Sequence, residues 1–122
     1  MILVDTSVWI EYLRRGDDRL AALLDRNLVA MHPFVTGELA CGNLQNRETL
    51  LRLFQNLPQS PVATHEEVMH FIQQRELMGR GIGYVDAHLL AAVALEGDAR
   101  LWTRDKRLHA VANELNLAWG QT

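Results

Sequence analysis

The chain predicts an α/β domain in which a mostly parallel sheet of about five strands is covered on both faces by helices. Short apolar strands alternate with helix-length segments along its whole length, the order that builds strand–helix–strand units. The clearest strand, Ile2-Leu3-Val4, is apolar at consecutive rather than alternate positions, as in a strand buried on both faces. No linker, repeat or low-complexity tract interrupts the 122 residues, so one domain over 1–122 is expected.

The elements follow in order. Ile2 to Asp5 reads as the first strand and Ser7 to Arg14 as the helix after it. Gly16 and Asp17 separate this from a second helix carrying Leu20, Leu23 and Leu24. Leu28 to Met31 reads as a strand, and His32-Pro33 opens a helix that holds Glu38. Leu50, Leu53, Phe54 and Leu57 recur at helical spacing until Pro58 to Pro61 ends the run. A short strand is expected at Val62-Ala63-Thr64 and a helix from His65 to Met78, followed by a mobile loop with Gly79, Gly81 and Gly83. Tyr84 to Leu95 is apolar nearly all round, which predicts a central helix. Arg100 to Thr103 reads as a strand, Lys106 to Leu115 as a helix and Leu117 to Trp119 as a last short strand.

Hydrophobic content of 48% and charged content of 22% are those of an ordinary globular domain. One cysteine excludes a disulfide framework and suits a reducing compartment. No stretch reaches the roughly 18 apolar residues of a membrane span, and the apolar start is too short for a signal peptide, so a cytoplasmic protein is expected. A net charge of −3 argues against a nucleic-acid partner at first sight. Eleven of the twelve basic residues are arginines, however, in local groups that include Arg75 with Arg80, and Arg104 with Lys106 and Arg107. Arginine's planar fork suits phosphate.

Four carboxylates attach to elements that look buried. Asp5 ends the first strand, Glu38 lies within Phe34-Val35-Thr36-Gly37-Glu38-Leu39-Ala40, Asp86 opens the central helix, and Asp105 follows Leu101-Trp102-Thr103. A buried carboxylate is costly unless paired or bound to metal. With a single lysine and no basic neighbour beside three of the four, pairing does not satisfy them all. Gathering around divalent cations does, and in a parallel sheet ligands bind beyond the carboxyl ends of the strands. Taken singly, Asp5 and Asp105 also suit helix caps, and Asp86 suits the dipole of its helix. Glu38 has the poorest such alternative.

These residues resemble a known family. Ile2-Leu3-Val4-Asp5-Thr6-Ser7, Glu38, Gly83-Tyr84-Val85-Asp86-Ala87 and Leu101-Trp102-Thr103-Arg104-Asp105 are similar, in order and spacing, to the four motifs of PIN-domain nucleases. At this length the chain resembles the small bacterial VapC toxins. The resemblance implies a PIN-like three-layer α/β/α fold and an endoribonuclease dependent on Mg²⁺ or Mn²⁺. It also implies restraint by a cognate VapB-type antitoxin, a homodimer, and products with a 5′-phosphate and a 3′-hydroxyl. Asp5 and Asp86 would be inner-sphere ligands, with Glu38 and Asp105 inner-sphere or acting through water. Arg80, Arg104 and Arg107 would meet substrate phosphate. Thr6 and Ser7 suit capping of the first helix or a hydrogen bond to Asp5, with capping favoured; Thr103 suits support of Asp105 or plain strand propensity. The antitoxin would lie along the helices of Trp9, Ile10 and Leu13, or of Leu50, Leu53 and Phe54.

Two alternatives stand beside this reading. A haloacid-dehalogenase-like phosphatase also begins with a strand ending in Asp, but wants a second Asp where this chain has Ser7. An inactive PIN-fold interaction module would be expected to have lost part of the quartet. Cys41 is expected to be a small core residue, and His88 to point away from Asp86. The other histidines lack the spacing of a zinc site.

Overall fold

A computed structural model describes residues 1–120; the last two positions of the expected 1–122 domain lie outside the described residues. The elements run β1 (Ile2–Val4), α1 (Thr6–Arg15), α2 (Asp18–Asp25), β2 (Val29–Ala30), α3 (Pro33–Ala40), α4 (Arg47–Asn56), α5 (His65–Gln74), α6 (Tyr84–Glu96), β3 (Arg100–Trp102) and α7 (Lys106–Glu114). β1 lies between β2 and β3 and pairs in parallel with both. Leu3 sits opposite Ala30 on one side and Leu101 on the other. Leu3, Val4 and Leu101 are fully buried, which explains the uninterrupted apolar run.

The expectation of about five strands is corrected to three, flanked by single bridges. Met31 bridges Gln59 beyond β2, and Leu101 bridges Ala118 beyond β3. The chain thus crosses the sheet at five places, but the outer two are too short to be strands. Gln59 lies between Pro58 and Pro61, and Pro61 has no N–H with which to extend a ladder. The expected strand at Val62-Ala63-Thr64 is absent, because Thr64 instead caps α5 in a reciprocal pair with Glu67. α5 stops at Gln74 rather than Met78, where Glu76 takes a left-handed φ of 54°.

Helix α6 is the spine of the core. Every residue from Ala87 to Val93 is buried, as its all-round apolarity predicts. It packs on α5 and β3, while α1, α3 and α4 pack together as a second group. Where α3 begins, the wholly buried His32 is the N-cap, and its Nδ1 accepts from the Phe34 N–H at 3.0 Å. That bond leaves the proton on Nε2, which has no partner among the described residues.

Burial, with His88 close by, pushes the His32 pKa down to about 4. Protonation therefore favours the unfolded chain, and the stability that neutral His32 provides is complete above pH 6.5 and drains away toward pH 4. Thermal melts across that window are expected to show a falling midpoint. His32→Asn keeps a capping oxygen without a titrating ring, and its profile should be shallower; parallel profiles would remove His32 from the account.

Candidate active site

The site is built where β1 and β3 end side by side. The Asp5 N–H donates to the Trp102 carbonyl at 2.9 Å, so the two strands deliver their C-terminal residues together. Asp5 then caps α1: Oδ1 accepts from the Thr6 N–H at 2.7 Å. Its Oδ2 accepts from the Thr103 hydroxyl at 2.6 Å and the Ser7 hydroxyl at 2.9 Å. Both hydroxyls also accept, Thr103 from the Asp105 N–H and Ser7 from the Arg104 N–H, each at 3.0 Å. Residues 5–7 and 103–105 are laced together through one carboxylate that is 7% exposed.

The other three acids surround this one. Thr6 Oγ1 donates to Glu38 Oε1 at 2.5 Å. Asp86 sits in the first turn of α6, and its Oδ2 accepts from the Gly83 N–H at 2.9 Å. Asp105 caps α7, with Oδ1 accepting from the Arg107 and Leu108 N–H groups at 2.9 and 3.0 Å. Burial raises the Asp86 pKa, and the charges of Asp5, Asp105 and Glu38 raise it further, against the lowering effect of the Gly83 N–H. One carboxylate thus feels the other three. None of the four forms a salt bridge among the described residues, whose ion pairs involve Glu11, Asp17 and Glu114 instead.

Several expectations are corrected. Asp5 is buried and Asp86 half-buried, but Glu38 and Asp105 are exposed at the rim. Glu38 follows Phe34 by four residues and Val35 by three, a helical spacing that predicts an inward face; its side of α3 instead opens onto a cleft lined also by Ile10, Leu13 and Leu44. Capping falls to Asp5, which frees the Thr6 and Ser7 hydroxyls to bind carboxylates. Thr103 bonds Asp5 through its side chain and supports Asp105 through the backbone N–H. Cys41 is exposed rather than buried, because it is the C-cap of α3. Arg80 pairs with the exposed Glu114 at 2.8 Å. Arg104 and Arg107 are exposed beside the site. Arg107 lies against the glycine loop before Asp86: a Cβ on Gly81 (φ 83°) would meet the Arg107 Cδ at 2.7 Å. His88 turns away from the acids to pack on Phe34 and Tyr84, as its place on the helix predicts.

Oxygen-only donors without basic partners are the ligand chemistry of a hard divalent cation. The described residues nevertheless hold no three His, Cys, Asp or Glu side chains already drawn to coordinating distance. Each carboxylate already accepts a hydrogen bond, Asp5 and Asp105 as helix caps, Glu38 from Thr6 and Asp86 from Gly83.

This fold and its motifs match the PIN domain over residues 2–114, and the chain belongs to that family. It is 55% identical over 118 residues to Ribonuclease VapC32 of Mycobacterium tuberculosis, covering 97% of this chain and 95% of that protein, and is a VapC-type member. Ribonuclease VapC11 of the same organism is 29% identical over 131 residues, covering 96% of each. Among solved structures, FitAcB from Neisseria gonorrhoeae superposes with a TM-score of 0.62 at 25% identity, covering 93% of this chain and 94% of that one.

The raised Asp86 pKa gives a sign to test. A carboxyl raised in the fold destabilises it once ionised, so its contribution is complete below pH 3.8 and is lost as pH rises through the folded value. Asp86→Asn keeps an oxygen for the Gly83 N–H and removes the charge. In the presence of a chelator at neutral pH it is expected to raise the melting temperature, since burial and the neighbouring charges both oppose ionisation; a lower one would overturn that balance.

Proposed function

We propose that the chain is a single PIN domain over 1–122 that cleaves RNA as a Mg²⁺- or Mn²⁺-dependent endoribonuclease. In this reading it is the toxin of a toxin–antitoxin module, acting in the cytoplasm as a homodimer. The observation that carries it is the gathering of Asp5, Glu38, Asp86 and Asp105 with no basic side chain paired to them among the described residues, where burial and then the other three charges raise the Asp86 carboxyl. The ribonuclease names of the curated relatives support the substrate class. No helix among the described residues is long and apolar enough to cross a membrane.

Asp5 and Asp86 would hold the cation directly, with Glu38 and Asp105 as further ligands, directly or through water. A divalent cation there supplies an acidified water for attack on phosphorus and a counter-charge for the leaving oxygen. Thr103 and Ser7 fix the Asp5 carboxylate in one orientation, so it need not reorganise when a ligand arrives. Arg104 is pinned through its N–H to Ser7 while its side chain stays exposed, and Arg107 is exposed on the first turn of α7; both suit phosphate recognition. A phosphatase is disfavoured because Ser7 spends its hydroxyl on Asp5.

Purified protein with Mg²⁺ or Mn²⁺ is expected to cut RNA into fragments with 5′-phosphates. Asp5→Asn and Asp86→Asn should lower the rate by more than about a hundredfold, since changes to outer-shell partners alone cost 10–100-fold. Cys41→Ala should retain activity. Wild-type protein that ignores added metal and leaves RNA intact would end this reading.

An antitoxin has a suitable place to bind. The cleft that opens beside Glu38 encloses about 780 Å³ between α1, α3 and the start of α4. Ile10, Leu13, Leu44 and Leu50 line it with Glu38 and Arg14, so an apolar segment bearing an arginine would find both packing and a carboxylate. Trp9 and Phe54 are excluded from that surface, being buried against each other at 5.2 Å. Co-expression with the reading frame beside the gene is expected to relieve growth arrest. An introduced charge, Ile10→Glu, should undo the relief without slowing RNA cleavage; relief that persists would place the partner elsewhere.

A further inference from the structure

A second cleft shares Thr103 with the network around Asp5, and its chemistry differs from the first. It encloses about 490 Å³, within the roughly 300–1,000 Å³ of small-ligand sites. Arg19, Arg104 and Lys106 line it with Trp102, His109 and Trp119. Among the described residues no acidic side chain lines it, although the whole chain carries a net charge of −3.

The aromatic groups are arranged as a stack. Trp102 and Trp119 have ring centroids 4.5 Å apart with planes tilted by 45°. The Arg19 guanidinium lies over the Trp102 ring at 4.9 Å, and Asp17 touches it only at 3.4 Å. Trp102 is 5% exposed and so presents no free face of its own. The Arg19 side chain is 62% exposed, which leaves the outer side of its guanidinium open as the top of the stack. His109 lines the cleft as well, but its Nε2 is buried and does not face a ligand there.

A flat cation held on an indole, beside two further cations, is a platform for an unpaired base with its phosphates. Thr103 ties the platform to the carboxylates, because it lines the cleft and its hydroxyl donates to Asp5 at 2.6 Å. We propose that this cleft binds an unpaired nucleotide of the RNA strand next to the phosphate at the carboxylates, with the base on Arg19 and Trp119 and the backbone on Arg104 and Lys106. The proposal rests on the ribonuclease reading for its substrate, and it assigns the strand a direction of exit past β3 and α7.

Arg19→Lys is the discriminating variant, because it keeps the charge and loses the plane. Arg19 is exposed, and lysine keeps an aliphatic stem to cover Trp102, so the fold is expected to survive the substitution, which a thermal melt checks. Binding of a short fluorescein-labelled single-stranded RNA is measured by anisotropy with a chelator present, beside the same sequence as a duplex. Arg19→Lys and Arg19→Ala are each expected to weaken single-strand binding by about 5- to 150-fold, the range of one lost stacked base, and to change duplex binding far less. Tryptophan emission should be quenched by the single strand in wild type and much less in Trp119→Phe. In cleavage assays the Arg19 variants should raise KM and keep kcat.

Full binding by Arg19→Lys with loss in Arg19→Ala would reduce the cleft to a point-charge phosphate contact and overturn the stacking proposal. Equal losses on duplex and single strand, or no binding of RNA by wild type, would overturn it too. The two readings fail separately. A chain that binds single strands through Arg19 but never cuts them defeats the nuclease reading and keeps the cleft. A chain that cuts RNA with unchanged KM in every Arg19 variant does the reverse.

Discussion

Everything at the site depends on one buried carboxylate that bonds across the sheet. Asp5 Oδ2 receives two hydroxyls, one from its own helix and one from a residue 98 positions away. An ionised acceptor with two donors is a strong arrangement in a partly dry setting. Its removal would leave the Thr103 and Ser7 hydroxyls without their acceptor and loosen the two backbone groups they receive, at Arg104 and Asp105. The start of α1 and the start of α7 are therefore positioned by the same atom.

Around this anchor the acids are graded from buried to exposed, and the grading reconciles repulsion with folding. Four clustered carboxylates deep in a core would be prohibitive. Here Asp5 alone is buried and well bonded, Asp86 is half-buried with the Gly83 N–H, and Glu38 and Asp105 reach water. Each also satisfies a local need, as a cap or a partner of Thr6. The same groups that make the cluster suited to a cation also stabilise the helix ends.

Much of this was legible in the residues. The run Ile2-Leu3-Val4, the all-apolar α6 and the glycine and proline breaks marked β1, α6 and the helix limits, because burial on every side and forced turns leave plain signatures. Gln59 could not be read as a sheet position: it is polar, lies between prolines and pairs at a single residue. Glu38 was misjudged because helical spacing shows which residues share a face but not whether that face meets protein or an open cleft. The bonding of Thr103 to Asp5 was equally hidden, since it depends on which strands become neighbours, whereas the local bond from Ser7 to Asp5 stood among the alternatives.

The place of β1 at the centre of the sheet has a consequence for how the chain comes into being. β1 is made first but its neighbour β3 is made last, and sheets that join distant segments form slowly. Synthesis proceeds from the N-terminus, so a partly made chain displays Asp5 and Glu38 with neither Asp86 nor Thr103 beside them. The carboxylate cluster closes only once α7 has been added. A chain that stops before β3 therefore lacks Thr103 and Asp105, and with them the means to hold Asp5 in place or to complete the four carboxylates.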